Sequence, residues 1–572
     1  MTTTVDPIAS VEPADSGEPA DRRAPADGRA PAVLDGGPLP ELPVATLGAA
    51  LLRAAALPDA GLIHFVRPDG GDVSMTYAEL LDDARSILTG LRVGGARPGD
   101  KVLLQIRSER EALGTFWAAL LGGLIPIPVA PGTVEDRAAA AERLELVWEG
   151  YGRPWVVVGS DGPAAIPAMD AVGSWLGRVG WLRANAPADE FHQARPEDLA
   201  VLLLTSGSSG TPKAVALTHR NIIARSTATA AVRGLDRTTR SFNWMPLDHI
   251  GGLVMFHARD VLLGCTQVHA GFQWILDDPT RWFDRISRYR ADTTWAPNFA
   301  FGLVNDRAEQ LSGRDWDLSR LRYIMNGGES VKARVIRRFL DLLAPYGLPR
   351  DSMHPGWGMS ETSAGVVDCV FDPDAPEGRF VEVGRPHPGV TLRVVDEHDR
   401  PLPTGTVGRL QVRGAPITSG YYENPAKNAE AFTEDGWFRS GDLAVIEDGT
   451  LTVTGRVDDL ILLNGTECHG HEIEAAAEEL DFVEPSYTVA SPVTVGPDGG
   501  EQLAVFYHPR GDLPPGEAAR RIQERVAARC GLEVGQVLTI AKEDVPKTGI
   551  GKLRRAQLRQ QFEARTAPGG VG

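Results

Sequence analysis

The chain has 572 residues, which at ~150 residues per domain implies two or three domains. Its 58 Lys and Arg against 76 Asp and Glu leave a formal charge of −18, the wrong balance for a general nucleic-acid binder, whose phosphate contacts need clustered cations. A hydrophobic content of 42% excludes a wholly disordered chain. The four cysteines (Cys265, Cys369, Cys468, Cys530) form no CxxC pair, which excludes a disulfide framework and a cysteine zinc site and fits a reducing cytosol.

Residues 1–43 hold eight prolines and no aromatic, so little apolar area offsets the entropy of ordering them. A disordered tail is expected there. The N-terminus has no basic stretch followed by an apolar one, so no signal peptide is read. From Val44 the pattern is globular. Thr76–Leu91 carries apolar residues at helical spacing, and β-branched runs follow at 101–106, 155–159 and 200–205. The apolar stretch Phe116–Val129 is too short for a bilayer and is broken by Pro126 and Pro128. It predicts a buried helix running into a strand. No membrane span follows, and a cytoplasmic protein is expected.

Helices alternating with strands predict an α/β domain with a largely parallel sheet. Residues 391–455 carry strand-and-turn signals punctuated by Gly and Pro, which predicts antiparallel hairpins. After about Asp458, roughly 115 residues read as a small α+β unit with a helix at HEIEAAAEEL. The expected division is a tail over 1–43, a large domain over 44–457 and a small domain over 458–572.

The chemistry begins at LLLTSGSSGTPK. An apolar strand runs into Thr205, Ser206, Gly207, Ser208, Ser209, Gly210 and Thr211, then Pro212 and Lys213. Small residues let backbone N–H groups approach an anion, while hydroxyls and one lysine add donors and charge. That suits nucleotide phosphates, although the Walker pattern is absent. Further on come NGGES (326–330), GWGMSET (356–362), SGYYENP (419–425) and DGWFRSGDLA (435–444). GRVDD (455–459), HEIE (471–474) and PKTGIGKLRR (546–555) complete the series.

In that order, these motifs resemble the adenylate-forming enzymes over roughly residues 45–560. The resemblance implies a large α/β domain with a β-barrel-like subdomain, followed by a small mobile α+β domain. It also implies ATP and magnesium. Gly328 and Glu329 are then expected beside the adenine, with the Trp357 ring stacked on it and Gly358 adjoining. Ser360 stands near the α-phosphate, Glu361 is the magnesium ligand and Asp442 takes the ribose hydroxyls. Arg456 lies near ribose or phosphate, and Lys552 is the catalytic lysine. Asp458 falls at the hinge about which the small domain turns between half-reactions. The clustered Cys468, His469 and His471 read as a polar loop and helix start in preference to a metal site.

For the acid, the resemblance points to NWMPLDHIGGLVMF and WAPNFAFGLVND. Asp248 and His249 lie in the acyl-pocket motif. Gly251 aligns where amino-acid-activating members carry the Asp that pairs with the substrate ammonium. A buried ammonium without a partner is costly, so an ordinary α-amino acid is disfavoured. Phe299 and Phe301 suit an apolar or aryl acid, and Asn298 could take a hydroxyl. The implied reaction is ATP-dependent activation of a hydroxy, aryl or fatty acid and transfer to the phosphopantetheine thiol of a carrier protein. A stand-alone loader is expected, because little sequence follows GKLRRAQL. The alternatives are free CoA or an amine as acceptor, or an inactive nucleotide-binding scaffold. The intact set of Lys213, Glu361, Asp442 and Lys552 argues against the scaffold.

Overall fold

The computed structural model describes residues 29–132, 137–164, 166–205, 212–376, 378–463, 466–495, 500–547 and 553–566. At its centre, six strands pair in parallel in the order Ile63–Val66, Thr266–Ala270, Arg240–Asn243, Thr293–Ala296, Tyr323–Asn326 and Met353–Met359. The spatial order departs from chain order, as expected where helices cross between parallel strands. A second parallel sheet runs Ile125–Pro128, Lys101–Gln105, Trp155–Val158 and Trp175–Arg178.

The helices follow the predicted periodicity. Tyr77–Val93 starts at a capping box in which Thr76 and Glu79 satisfy each other's backbone N–H groups, and it buries Tyr77, Leu80, Ala84, Ile87, Leu88 and Leu91. The apolar stretch forms the helix Glu109–Leu121 and then the strand Ile125–Pro128. None of the described helices is long and apolar enough to cross a membrane.

Past the central sheet the chain becomes antiparallel, as the turn signals predict. Val390–Val395, Gly408–Gly414, Phe438–Glu447 and Thr450–Arg456 pair in sequence order. The disordered tail needs correction here. Val33–Asp35 adds to the free side of Val390–Val395, Ala32 is fully buried and its N–H donates to the Leu402 carbonyl at 2.7 Å. Backbone pairing with a sheet edge stabilises residues 29–43 without aromatic burial. Residues 1–28 lie outside the described part.

From Leu460 the chain forms an α+β unit with hydrophobic clusters of its own, around Ile473, Val505 and Ile522 and around Val489 and Phe506. Its sheet is Val483–Val495, Gly500–Pro509 and Val534–Thr539. It packs over the C-terminal ends of the central strands, where open α/β sheets carry their sites.

Candidate active site

A cavity of about 3740 Å³ opens where the central strands end and the small α+β unit covers them. Within the described part, every expected site residue except Phe301 lines it. Ser206–Thr211 and Lys552 lie outside that part.

Where the phosphates are expected, Thr205 closes the strand Leu199–Thr205 and Lys213 opens its antiparallel partner, so the two are direct cross-strand neighbours. The Lys213 ammonium sits 5.4 Å from the centre of the Tyr421 ring. The Tyr421 hydroxyl donates to Glu361 Oε1 at 2.8 Å. Glu361 follows Ser360 in a single 3₁₀ turn and is only 6% exposed. Burial pushes its carboxyl above the ordinary range, while Tyr421, Arg456 and Lys213 pull it down. A desolvated carboxylate with one protein donor fits a hard cation that shares phosphate oxygens, since magnesium takes only one or two carboxylates in nucleotide sites. Tyr421 went unnoticed as a site residue in the sequence, although it sits inside the SGYYENP motif.

The residues expected beside the nucleoside come from two chain segments. Gly328 holds φ at +86°, a left-handed conformation that favours glycine, and so turns the chain after Tyr323–Asn326. Glu329 next to it accepts the Phe299 N–H at 2.6 Å. Trp357 Nε1 donates to Asp442 Oδ2 at 2.8 Å. Asp442 and Arg456 are direct cross-strand partners, with an ion pair at 3.3 Å. Gly358 and Asp442 line the wall beside the tryptophan.

The acid end lies beyond. His249 stacks on Trp295 with ring centres 5.8 Å apart and planes within 6°. Gly251 begins a π-helical stretch, Gly251–Ala258, and donates its N–H to His249 Nδ1 at 3.1 Å. A Cβ at 251 would stand 2.8 Å from both Cε3 and Cη2 of Trp295 and closer still to Cζ3. No side chain fits there unless the tryptophan moves, so the ring occupies the space that an ammonium-binding carboxylate would need. Burial pushes the Asp248 carboxyl upward, with Arg143 opposing.

Two expectations about the acid wall change. Phe301 does not line the pocket. It is fully buried and packs edge-on against Phe339. Residues 298–305 form a helix, and positions two apart on a helix point to opposite sides, so Phe299 and Phe301 separate. Asn298 keeps its place, but its oxygen is already engaged by the Lys332 N–H at 3.1 Å and the Asn326 amide at 3.3 Å. Since a backbone N–H can only donate, this fixes the amide orientation. Asn298 therefore offers its NH₂ group to the cavity.

The floor holds a polar network that the sequence did not reveal. Trp117 Nε1 donates to His257 Nε2 at 2.8 Å, and His257 Nδ1 and His269 Nε2 both donate to Gln267 Oε1 at 2.7 Å. The Asn243 amide approaches His269 Nδ1 at 3.2 Å. Each ring thus uses one donor and one acceptor and stays neutral. Burial lowers His257 to about 4 and holds His269 well below the ordinary imidazole range.

On the small-unit side, Asp458 sits in the 3₁₀ turn Val457–Asp459 and faces the cavity. Lys547 and Leu553 form an isolated bridge that closes the base of the segment carrying Lys552. His469 is the N-cap of Gly470–Ala477, bonded reciprocally with Glu472. No group of three or more His, Cys, Asp or Glu suited to a metal occurs among the described residues.

The sequence matches the AMP-binding enzyme family over residues 52–422. Nonribosomal peptide synthetase apvA of Aspergillus terreus is 33% identical over 543 residues, covering 90% of this chain and 58% of the relative. Atromentin synthetase invA2 of Paxillus involutus is 30% identical, covering 85% and 53%. The chain thus spans a little over half the length of these curated relatives. Among solved structures, McyG A-PCP complexed with phenylalanyl-adenylate superposes with a TM-score of 0.86 at 34% identity, covering 93% of this chain and 85% of that one. A multidomain structure of a keto acid-selecting nonribosomal peptide synthetase module gives 0.85 at 35% identity, covering 93% and 47%.

Proposed function

The chain belongs to the family of AMP-binding enzymes, and on that footing we propose that it activates an organic acid as its acyl-adenylate. A carboxylate oxygen of the acid attacks the α-phosphorus of ATP, the bond to the β-phosphate breaks and pyrophosphate leaves. Little covalent work falls to the protein: it positions the two substrates, neutralises charge and excludes water. Thr205, the 206–211 loop and Lys213 hold the phosphates. Trp357 and Asp442 bind the nucleoside beside Gly328 and Glu329, with Gly358 in the wall and Arg456 near the ribose. Ser360 reaches the α-phosphate, and Glu361 would hold magnesium. When bound, magnesium neutralises phosphate oxygens as charge shifts to the leaving group. Lys552 bridges the acid and the α-phosphate through its ammonium.

The reading rests chiefly on one cavity with nucleotide-handling groups at one end and, at the other, an acid pocket where Trp295 fills the space beside Gly251. Such a pocket has no counter-charge at 251 for an α-ammonium. The Asn298 NH₂ group instead suits an acceptor oxygen, and Phe299 with the stacked His249–Trp295 pair suits an aryl group. We therefore favour a 2-oxo or 2-hydroxy acid with an aryl side chain. The keto acid-selecting neighbour supports this class.

For the second half-reaction, a phosphopantetheine thiol on a carrier protein is the favoured acceptor. The segment around Asn464 and Gly465 has no basic residues of the kind the CoA 3′-phosphate would attract. The small unit from 458 on turns at Asp458 between the two steps. Pyrophosphate exchange across paired aryl 2-oxo, 2-hydroxy, 2-amino and fatty acids tests the proposal. The oxo or hydroxy member should exchange fastest. Faster exchange with the amino acids would overturn the substrate class, and formation of ADP instead of AMP would overturn the reaction.

A further inference from the structure

Three ion pairs cross between the large and small units among the described residues, and they differ in burial. Arg379–Glu472 and Arg510–Asp306 carry arginines 67% and 42% exposed, where solvent leaves such pairs little strength. The third joins Lys332 to Glu478 at 2.6 Å, and the Glu478 side chain is 5% exposed. Its other carboxylate oxygen accepts the Ser486 N–H at 2.8 Å, and its carbonyl accepts from Arg334.

This contact is wired to the acid pocket. Lys332 places its ammonium on Glu478 while its own N–H holds the Asn298 oxygen that leaves the Asn298 NH₂ facing the cavity. Three residues earlier, Glu329 accepts from Phe299. On the small-unit side, Lys547 rests 3.5 Å over the Tyr487 ring, next to Ser486. Burial lowers the Lys547 ammonium to about 8, with Glu329 and Glu478 pulling it back up. Glu478 thus pairs with a lysine of the acid wall and also attracts a lysine of the small unit.

We propose that the Lys332–Glu478 ion pair is the positioning contact that seats the small unit over the acid pocket in the adenylate-forming pose. The proposal rests on the adenylation reading for its kinetic consequence, but its structural consequence is independent of it. Because Lys332 and Asn298 share a hydrogen bond, order at the acid wall and seating of the small unit reinforce each other. Linkage then requires the acid to tighten the seat and the seat to tighten the acid.

The test uses the full chain with Lys332→Met, Glu478→Gln, the double variant and Lys332→Arg, with Arg510→Ala as a control for an exposed cross-unit pair. Glutamine keeps the acceptor for Ser486 and removes only the charge. Thermal melts establish that each variant is folded. Small-angle scattering of the substrate-free proteins should show a larger radius of gyration for the Met and Gln variants and none for Lys332→Arg or Arg510→Ala. In pyrophosphate exchange, each single variant should lose about 10²-fold in kcat, the scale of a small misplacement of reacting groups, with ATP affinity unchanged. The double variant should lose no more than the worse single one, because the two residues act as a pair. Unchanged scattering for Glu478→Gln, or additive losses in the double variant, would overturn the proposal. If no acid supports exchange in the native enzyme, the adenylation reading fails, and scattering still decides whether this pair seats the small unit.

Discussion

Replacing Gly251 by alanine tests the acid pocket with one methyl group. The new Cβ would lie 2.8 Å from two Trp295 ring carbons, whereas carbon pairs rest at ~3.5–4.0 Å. Cζ3 is closer still, so the ring must retreat by well over ~1 Å. Trp295 is 5% exposed and stacked on His249, so retreat disturbs packed neighbours, and overpacking of this kind costs ~1–3 kcal/mol. Against that, Gly→Ala within a helical stretch stabilises by ~0.5–1 kcal/mol. The steric term wins, leaving a net loss of about 1–2 kcal/mol. If the ring moves toward the cavity, the same cost falls on acid binding, and 1.4 kcal/mol raises the acid Kd about tenfold. The assay is a thermal melt alongside pyrophosphate exchange with acid and ATP varied separately. The acid KM should rise while the ATP KM holds. A variant with a raised melting temperature and an unchanged acid KM would show that Trp295 yields freely, and the steric argument against a carboxylate at 251 would fall.

Lys552→Ala should reduce adenylate formation by ~10²–10³-fold with ATP binding intact, measured by exchange and equilibrium dialysis. Glu361→Gln should lose a similar factor, and Tyr421→Phe should raise the magnesium concentration needed for half-maximal exchange. Asp458→Pro should spare exchange and stop acyl transfer in single-turnover experiments, because proline fixes a backbone angle that a hinge must change. Asp368 is fully buried and bonded to Arg233, His387 and Tyr323, so Asp368→Asn should cost ~3–5 kcal/mol in denaturant unfolding. Burial alone would raise the Asp368 carboxyl, but His387 and Arg233 hold it far below the ordinary range. Its stabilisation is therefore complete above the unfolded value near ~3.9 and fades as pH falls below it, so the native protein should lose more stability than Asp368→Asn between pH 4 and 2.

The residues that the motifs single out for a nucleotide are, where described, brought to one cavity, and short motifs could mark them because a nucleotide site would need small residues for phosphates, one acid for a cation and one acid for ribose. The acid end was legible only in part. Phe299 and Phe301 look equivalent until a helix sends them to opposite sides. Asn298 could have offered either end of its amide until Lys332 fixed the choice. Tyr421 gains its meaning from a carboxylate 60 positions earlier, and the Lys332–Glu478 pair joins residues 146 positions apart. Pairings at that range depend on where the fold brings chains together, and local periodicity holds no record of it. The tail was misjudged for the same reason, since residues 29–43 are held by a sheet edge that forms more than 350 positions later.

A chain of net charge −18 for which a polyanionic substrate is proposed poses a question of local charge balance. Net charge describes the surface, where screening confines each ion to a Debye length of about 8–10 Å. Within the cavity the local balance governs. Asp442 is tied to Trp357 and Arg456, and the buried Glu361 carboxyl is raised by its surroundings. Lys213 stands on the near side of Glu361, against the Tyr421 ring. Of the two acids expected to face a nucleotide, Asp442 is thus paired and Glu361 is placed to share a cation with it. A surface of like sign repels adventitious polyanions such as nucleic acid, while a nucleotide that brings its own divalent cation would meet a pocket where the Glu361 carboxylate could join that cation's coordination. On this view the acidic composition that excluded nucleic-acid binding also contributes to selectivity for metal-bound triphosphate.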